Sequence, residues 1–215
     1  MNYLIIETSI SQSFLLLYCE GKQSIALLGS RSQASQITEK IQELIEQTDI
    51  ALSSLNFIAI GTGPGSFTGS RVGVLVAKTL NYALNIPLVS YCSLINLFPA
   101  IDIKSSKTPS SLLLIGDAKS RGFSTLEANL NQPHLFKDKR VLVQLEEIDV
   151  LKQTHLLCFD SGIDLEKKGL DSSQIPFFLS VEPNYTFIRQ YCQSQFSKGA
   201  TKTHTDVQVE YAFSP

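Results

Sequence analysis

Thirteen residues, Gly61-Thr-Gly-Pro-Gly-Ser-Phe-Thr-Gly-Ser-Arg-Val-Gly73, constrain this chain more than any other segment. They follow Phe57-Ile-Ala-Ile60, a short apolar run that reads as a buried strand, and they precede a helical pattern. A glycine-rich strand-to-helix turn leaves backbone N–H groups unpaired at the helix start, where they and the helix dipole favour an anion. Gly63, Gly65, Ser66 and Thr68 are the candidate phosphate contacts on this reading. The alternative is architectural: the glycines build a tight turn and let a helix over 70–85 sit close to its sheet. Three familiar templates fail. Ser70 stands where a P-loop needs lysine, Ser66 where a dinucleotide fingerprint needs its third glycine, and Pro64 and Thr68 where a nucleophile elbow needs glycines around Ser66.

The rest of the front half fits an α/β frame. Residues 3–8, 13–19 and 23–29 read as three strands, the last two joined at Glu20-Gly21-Lys22. Ile37, Ile41, Leu44 and Ile45 recur at helical spacing and predict a helix over 35–48, with Ser35 as its cap. After the glycine segment Val72, Leu75, Val76, Thr79 and Ala83 form a second stripe, which Asn85-Ile86-Pro87 ends. Leu88–Tyr91 is another strand and Ser93–Phe98 a short helix. The order β-β-β-α-β-α-β-α predicts a mixed sheet with helices on its faces.

The polar, Ser-rich stretch 104–111 is the expected boundary between two lobes, 1–104 and 105–215. The second lobe shows strands over 112–117, 123–126, 156–160 and 177–181 and a helix over 184–197. The tail after Lys198 has no period and is read as mobile. Lys137, Lys139 and Arg140 form a small basic cluster, read as a solvated face.

Composition excludes several functions. A 43% hydrophobic fraction rules out wholesale disorder, and a net charge of −2 argues against direct tRNA binding by the chain alone. No apolar stretch reaches the ~18–20 residues of a membrane span, and the first residues lack the basic start of a signal peptide. The expected location is the cytoplasm. Cys19, Cys92, Cys158 and Cys192 lie far apart, and His134, His155 and His204 form no ligand pair, so the cysteines read as buried thiols and a zinc site is not expected. Glu7 and Asp117, each at a strand end, are the carboxylates that could hold a metal or a phosphate; capping of a nearby turn is the alternative. Residues 1–100 carry 5 basic and 6 acidic residues against 13 and 14 in the remainder. A front half this poor in charge buries its apolar surface or shows it to a partner.

Residues 61–94, GTGPGSFTGSRVGVLVAKTLNYALNIPLVSYCSL, resemble the TsaB (YeaZ) family, as do IIETS near the start and GDAKSRGFSTLEA over 116–128. The resemblance is close over 57–94 and thin after about 130. It implies an actin/Hsp70/sugar-kinase-like (RNase H-like) two-lobe fold with mixed sheets and a reduced second lobe. It also implies a role in the threonylcarbamoyl modification of adenosine 37 in tRNAs reading codons that begin with A. Family members act as non-catalytic subunits that pair with the catalytic paralogue TsaD, and the complex recruits the ATPase TsaE. The resemblance implies no intrinsic cofactor, with ATP or threonylcarbamoyl-adenylate only in the assembled complex, and tRNA reached only through it. TsaD holds a metal through two histidines on its first helix, and residues 35–48 here contain none, which argues against the peptidase label given to such proteins.

By the same resemblance the first-lobe helices 36–48 and 70–84 form the partner interface, through Ile37, Ile41, Leu44, Ile45, Val72, Leu75 and Thr79. Without the partner a homodimer through that surface is expected. The family usually has Asp at the position of Glu7, and its ending is matched only loosely by EPNYTFIR, residues 182–189. A different reading of the glycine loop is an ATP-binding small-molecule kinase of the same fold.

Overall fold

The computed structural model describes residues 1–29, 33–100, 109–118, 122–132, 136–143, 147–148, 152 and 154–211. They form two units, each built on a five-stranded mixed sheet. The first contains Met1–Ser93 and Ile188–Tyr211 and the second Leu94–Phe187. The return of the chain after Ile188 makes this division different from a single cut at 104/105. Residues 104–108 of the expected boundary lie outside the described residues.

In the first unit β1 (Tyr3–Glu7) is central, antiparallel to β2 (Phe14–Cys19) and parallel to β4 (Phe57–Gly61). The full order is β3-β2-β1-β4-β5, with β3 at Lys22–Leu27 and β5 at Leu88–Tyr91. β1 and β4 are buried at every position, which is why they read as continuous apolar runs rather than alternating ones. Leu4, Ile6, Leu15, Leu17, Ile58, Ile60 and Leu88 pack toward two helices, α1 (Gln33–Glu46) and α2 (Phe67–Leu84). On the other face Tyr18, Tyr3 and Phe57 stack side by side across three strands, at 5.1 and 4.5 Å between ring centres. Phe196 of α3 (Tyr185–Ser197) closes that stack at 4.6 Å from Phe57. Desolvation pushes the Tyr3 hydroxyl up to about 12, so it stays protonated throughout the physiological range.

The second unit repeats the strand plan as β10-β9-β6-β7-β8: β6 (Ser111–Asp117), β7 (Phe123–Asn129), β8 (Phe136–Val143), β9 (Leu156–Asp160) and β10 (Phe178–Val181). β6 is again central, antiparallel to β7 and parallel to β9. β8, on which the basic cluster falls, is an edge strand absent from the sequence reading. Edge strands carry charge because one side lacks a partner.

Residues 199–211 of the tail are tied to the first unit, contrary to their reading as mobile. Lys202 and Leu88 exchange backbone hydrogen bonds of 2.8 and 3.0 Å, which closes the β5 edge of the first sheet. Val207 is wholly buried in the α1/α2 core, and the Glu210 N–H donates to the Thr62 carbonyl at 2.7 Å. Asp206 accepts from the Thr203 hydroxyl at 2.6 Å and from its N–H at 2.9 Å, and these bonds hold its carboxyl below the usual value. A depressed folded-state pKa stabilises at pH values above the unfolded one and loses that effect as pH falls through the folded one. The protection of the Val207 amide, taken relative to its intrinsic exchange rate at each pH, is therefore expected to hold from neutrality to about pH 4 and to fall at lower pH, a fall that Asp206→Asn does not show. Equal profiles for the two proteins would refute this turn as the anchor.

Candidate functional site

α2 begins at Phe67, three residues before the expected start, because Ser66 caps it: the Ser66 hydroxyl accepts from the Gly69 N–H at 3.1 Å. The residues that face the sheet are Gly69, Ser70, Gly73, Val74, Ala77 and Asn81. This row is small, so the helix approaches β1 closely. The Thr8 hydroxyl fills the space beside Gly73 and donates to the Gly69 carbonyl at 2.7 Å. The larger residues are turned elsewhere. Phe67 (56% exposed), Leu75 (66%) and Tyr82 (74%) lie on the outer face, with Arg71 and Thr79 also exposed. Val72 and Val76 are half-buried against the core. The expected stripe of Val72, Leu75, Val76, Thr79 and Ala83 is thus split, with Leu75, Thr79 and Ala83 outside.

α1 behaves differently. Ile37, Ile41 and Leu44 are 0%, 5% and 3% exposed in the first-unit core, and Ile45 packs against it. The chain's own sheet takes this stripe, leaving Thr38, Glu39, Gln42 and Glu46 outward. Of the residues grouped as an interface, the structure leaves Leu75 and Thr79 exposed and puts Ile37, Ile41 and Leu44 inside. The helix starts at Gln33, so Ser35 lies within it rather than capping it.

The glycine loop is tied to both neighbouring strands. The Gly63 N–H donates to the Ser93 hydroxyl at 3.0 Å, and the Ser93 N–H donates to the Gly63 carbonyl at 2.8 Å. Ser93 in turn donates to Glu7 Oε1 at 3.1 Å, and Glu7 also accepts from the Ser9 N–H at 2.7 Å. Glu7 is fully buried, and its carboxylate occupies the space where a Gly61 side chain would begin. Gly63 has φ +100° with the Glu210 carbonyl against it, a place only glycine fills without strain. The Ser66 N–H donates to the Ser9 carbonyl at 2.6 Å, and that carbonyl lies where a Gly65 side chain would begin. Of the four candidate anion contacts, Gly63 and Ser66 are engaged inside the loop, whereas Gly65 and Thr68 are exposed at the helix start. The role of Ser93 was not legible, since it reaches Glu7 across 86 positions, nor was that of the Ser9 carbonyl, which takes the Ser66 N–H from a distant element.

The carboxylate expected from the second lobe is also engaged. Asp117, at the end of β6, pairs with Lys168 Nζ at 2.7 Å. Lys119, two residues beyond it, lies outside the described residues, as does His134. Among the described residues no group of three His, Cys, Asp or Glu side chains is placed to hold a metal. The histidine pair of the resemblance does not fit this chain, because α1 has no histidine. All four cysteines are free and buried, as the sequence implies. Burial pushes the Cys158 thiol up to about 12, and burial with the nearby Glu7 charge pushes Cys192 well up. Both therefore stay thiols and not nucleophilic thiolates. Among the described residues no helix is long and apolar enough to cross a membrane.

The family model described as "TsaD: tRNA N6-adenosine threonylcarbamoyltransferase" matches residues 27–212. The tRNA threonylcarbamoyladenosine biosynthesis protein TsaB of Haemophilus influenzae is 33% identical over 95 residues, 44% of this chain and 40% of that protein. The protein of the same name from Escherichia coli is 28% identical over 98 residues, 45% and 42% of the two chains. These matches thus span about two fifths of the length of the curated relatives. A crystal structure of a Pseudomonas aeruginosa protein, described as uncharacterized with similarity to peptidase YeaZ, superposes with a TM-score of 0.78. It covers 99% of both chains at 18% identity, a likeness of fold.

Proposed function

The chain belongs to the tRNA N6-adenosine threonylcarbamoyltransferase (TsaD) family, among its TsaB (YeaZ) members with the actin/Hsp70/sugar-kinase-like fold, and from that premise we propose that it is a non-catalytic scaffold. Its task is the threonylcarbamoyl modification of adenosine 37 in tRNAs reading codons that begin with A. It acts by pairing with a catalytic TsaD subunit, and the pair recruits the ATPase TsaE. In isolation it pairs with a second copy through the same face. ATP or threonylcarbamoyl-adenylate enters only in the assembled complex, and tRNA is reached through the complex alone.

One observation carries this reading: α2 seats on its sheet through glycine and alanine and presents Phe67, Leu75 and Tyr82 to solvent. A helix with its largest apolar side chains outside supplies the core of a protein interface. The engagement of Glu7 by Ser93 and Ser9, and of Asp117 by Lys168, supports a scaffold over a kinase, which needs such carboxylates available for substrate. Depletion of the protein in its own cells, followed by mass spectrometry of tRNA nucleosides, tests the assignment. The threonylcarbamoyl mark is expected to fall to a small fraction of its normal level, and an unchanged level would refute the role. Purified protein and cognate TsaD are expected to co-elute as a one-to-one complex at micromolar concentration.

A further inference from the structure

A strap over residues 202–211 follows the length of α2, which bears on what a partner would meet. Near the helix C-terminus the His204 N–H donates to Asn81 Oδ1 at 2.7 Å, and its ring meets Tyr82 edge-on at 5.3 Å between centres. Farther along the strap, Val207 is sunk in the core. Its end reaches the first turns of α2. Arg71 Nε donates to the Tyr211 hydroxyl at 3.0 Å, and the Tyr211 and Phe67 rings lie 5.6 Å apart. The strap therefore runs antiparallel to α2 and touches both ends of its exposed apolar row.

Arg71 sits in the middle of this arrangement. Its guanidinium carbon lies 3.6 Å from the Phe67 ring centre and 5.6 Å from that of Tyr211, yet the residue is exposed. Stacking and one hydrogen bond fix the plane of a group whose remaining donors match a carboxylate in two-point fashion. α2 contains two basic residues, Arg71 and Lys78, and no acidic one. Its complement is an apolar surface that carries carboxylates.

We infer that α2 and the strap form one composite docking face, in which Tyr211 holds Arg71 in place to receive a carboxylate from the apolar surface of a TsaD partner. The inference rests on the scaffold reading above and names the chemistry of its partner. Arg71 is the residue that meets the partner, and Tyr211 is a positioning residue acting through it.

The test is titration calorimetry of the full chain and its cognate TsaD at two salt concentrations. Arg71→Ala is expected to weaken binding by about tenfold to a hundredfold and to flatten the salt dependence. Tyr211→Phe keeps the ring but removes the hydroxyl. It is expected to weaken binding several-fold in the wild-type background and to have no further effect in Arg71→Ala. Arg71 is exposed, so the melting temperature of each variant is expected to stay near that of the parent. Wild-type affinity in both variants, or an undiminished Tyr211→Phe effect in the Arg71→Ala background, would overturn the composite face and leave the scaffold standing. Failure of the wild-type chain to bind would overturn both.

Discussion

Gly65→Ala is expected to destabilise the first unit by about 3 kcal/mol, a large share of the stability of a domain this size. The added methyl would meet the Ser9 backbone carbonyl, which already accepts the Ser66 N–H at 2.6 Å. Relief requires moving either the end of β1 or the cap of α2. Both moves strain the Ser9–Ser66 bond, which itself contributes about 1 kcal/mol. Gly199→Ala is the comparison: φ is +74°, but no atom lies near the added group, so only the backbone penalty of about 1–2 kcal/mol applies. Urea unfolding of the two variants measures the difference. If Gly65→Ala were no worse than Gly199→Ala, the loop would be free to shift and the rigid cradle described here would be wrong.

Leu75→Asp is expected to abolish pairing with TsaD, weakening it by about a hundredfold or more while leaving stability within about 0.5 kcal/mol of the parent. Leu75 is 66% exposed, so its replacement removes little from the core. In an interface, by contrast, the introduced carboxylate would lose its water without gaining a partner. Ile41→Ala should do the reverse. Ile41 is 5% exposed in the α1/α2 core, and the deletion is expected to cost about 2–5 kcal/mol of folding stability. Its effect on pairing should be no greater than lost folded protein explains. Calorimetric binding and chemical denaturation on both variants separate the two helices. A Leu75→Asp protein that pairs normally would remove α2 from the interface.

Much of the frame was legible from the chain. The strands at 3–7, 14–19, 57–61, 88–91 and 156–160 were found within a residue or two, because strands buried on both faces appear as uninterrupted apolar runs. β8 was missed because Phe136-Lys-Asp-Lys-Arg140 alternates nothing: an edge strand needs little burial and its charges hide it. The close seating of α2 on its sheet through the glycines was read correctly, whereas the rest of its inward row was not, for another reason. A reading based on hydrophobicity gives glycine and alanine no weight, although their spacing of four at 69, 73 and 77 was present as a signal. The glycine loop was recognised, but not what holds it. Ser93 reaches Glu7 across 86 positions, and no local pattern encodes such a bond. The strap had no period because its order comes from one sunken valine and from main-chain bonds to other elements.

The division of α2 into a small side and a large side has a corollary. Folding restricts Gly73, where an added methyl would meet the Thr8 hydroxyl, and the buried Gly69 and Ala77 beside it. Phe67, Leu75 and Tyr82 on the other side are mostly exposed, and of these Leu75 can change at little cost to the fold. The two demands fall on opposite sides of one rod, so the outer side can be recoloured without disturbing the inner one.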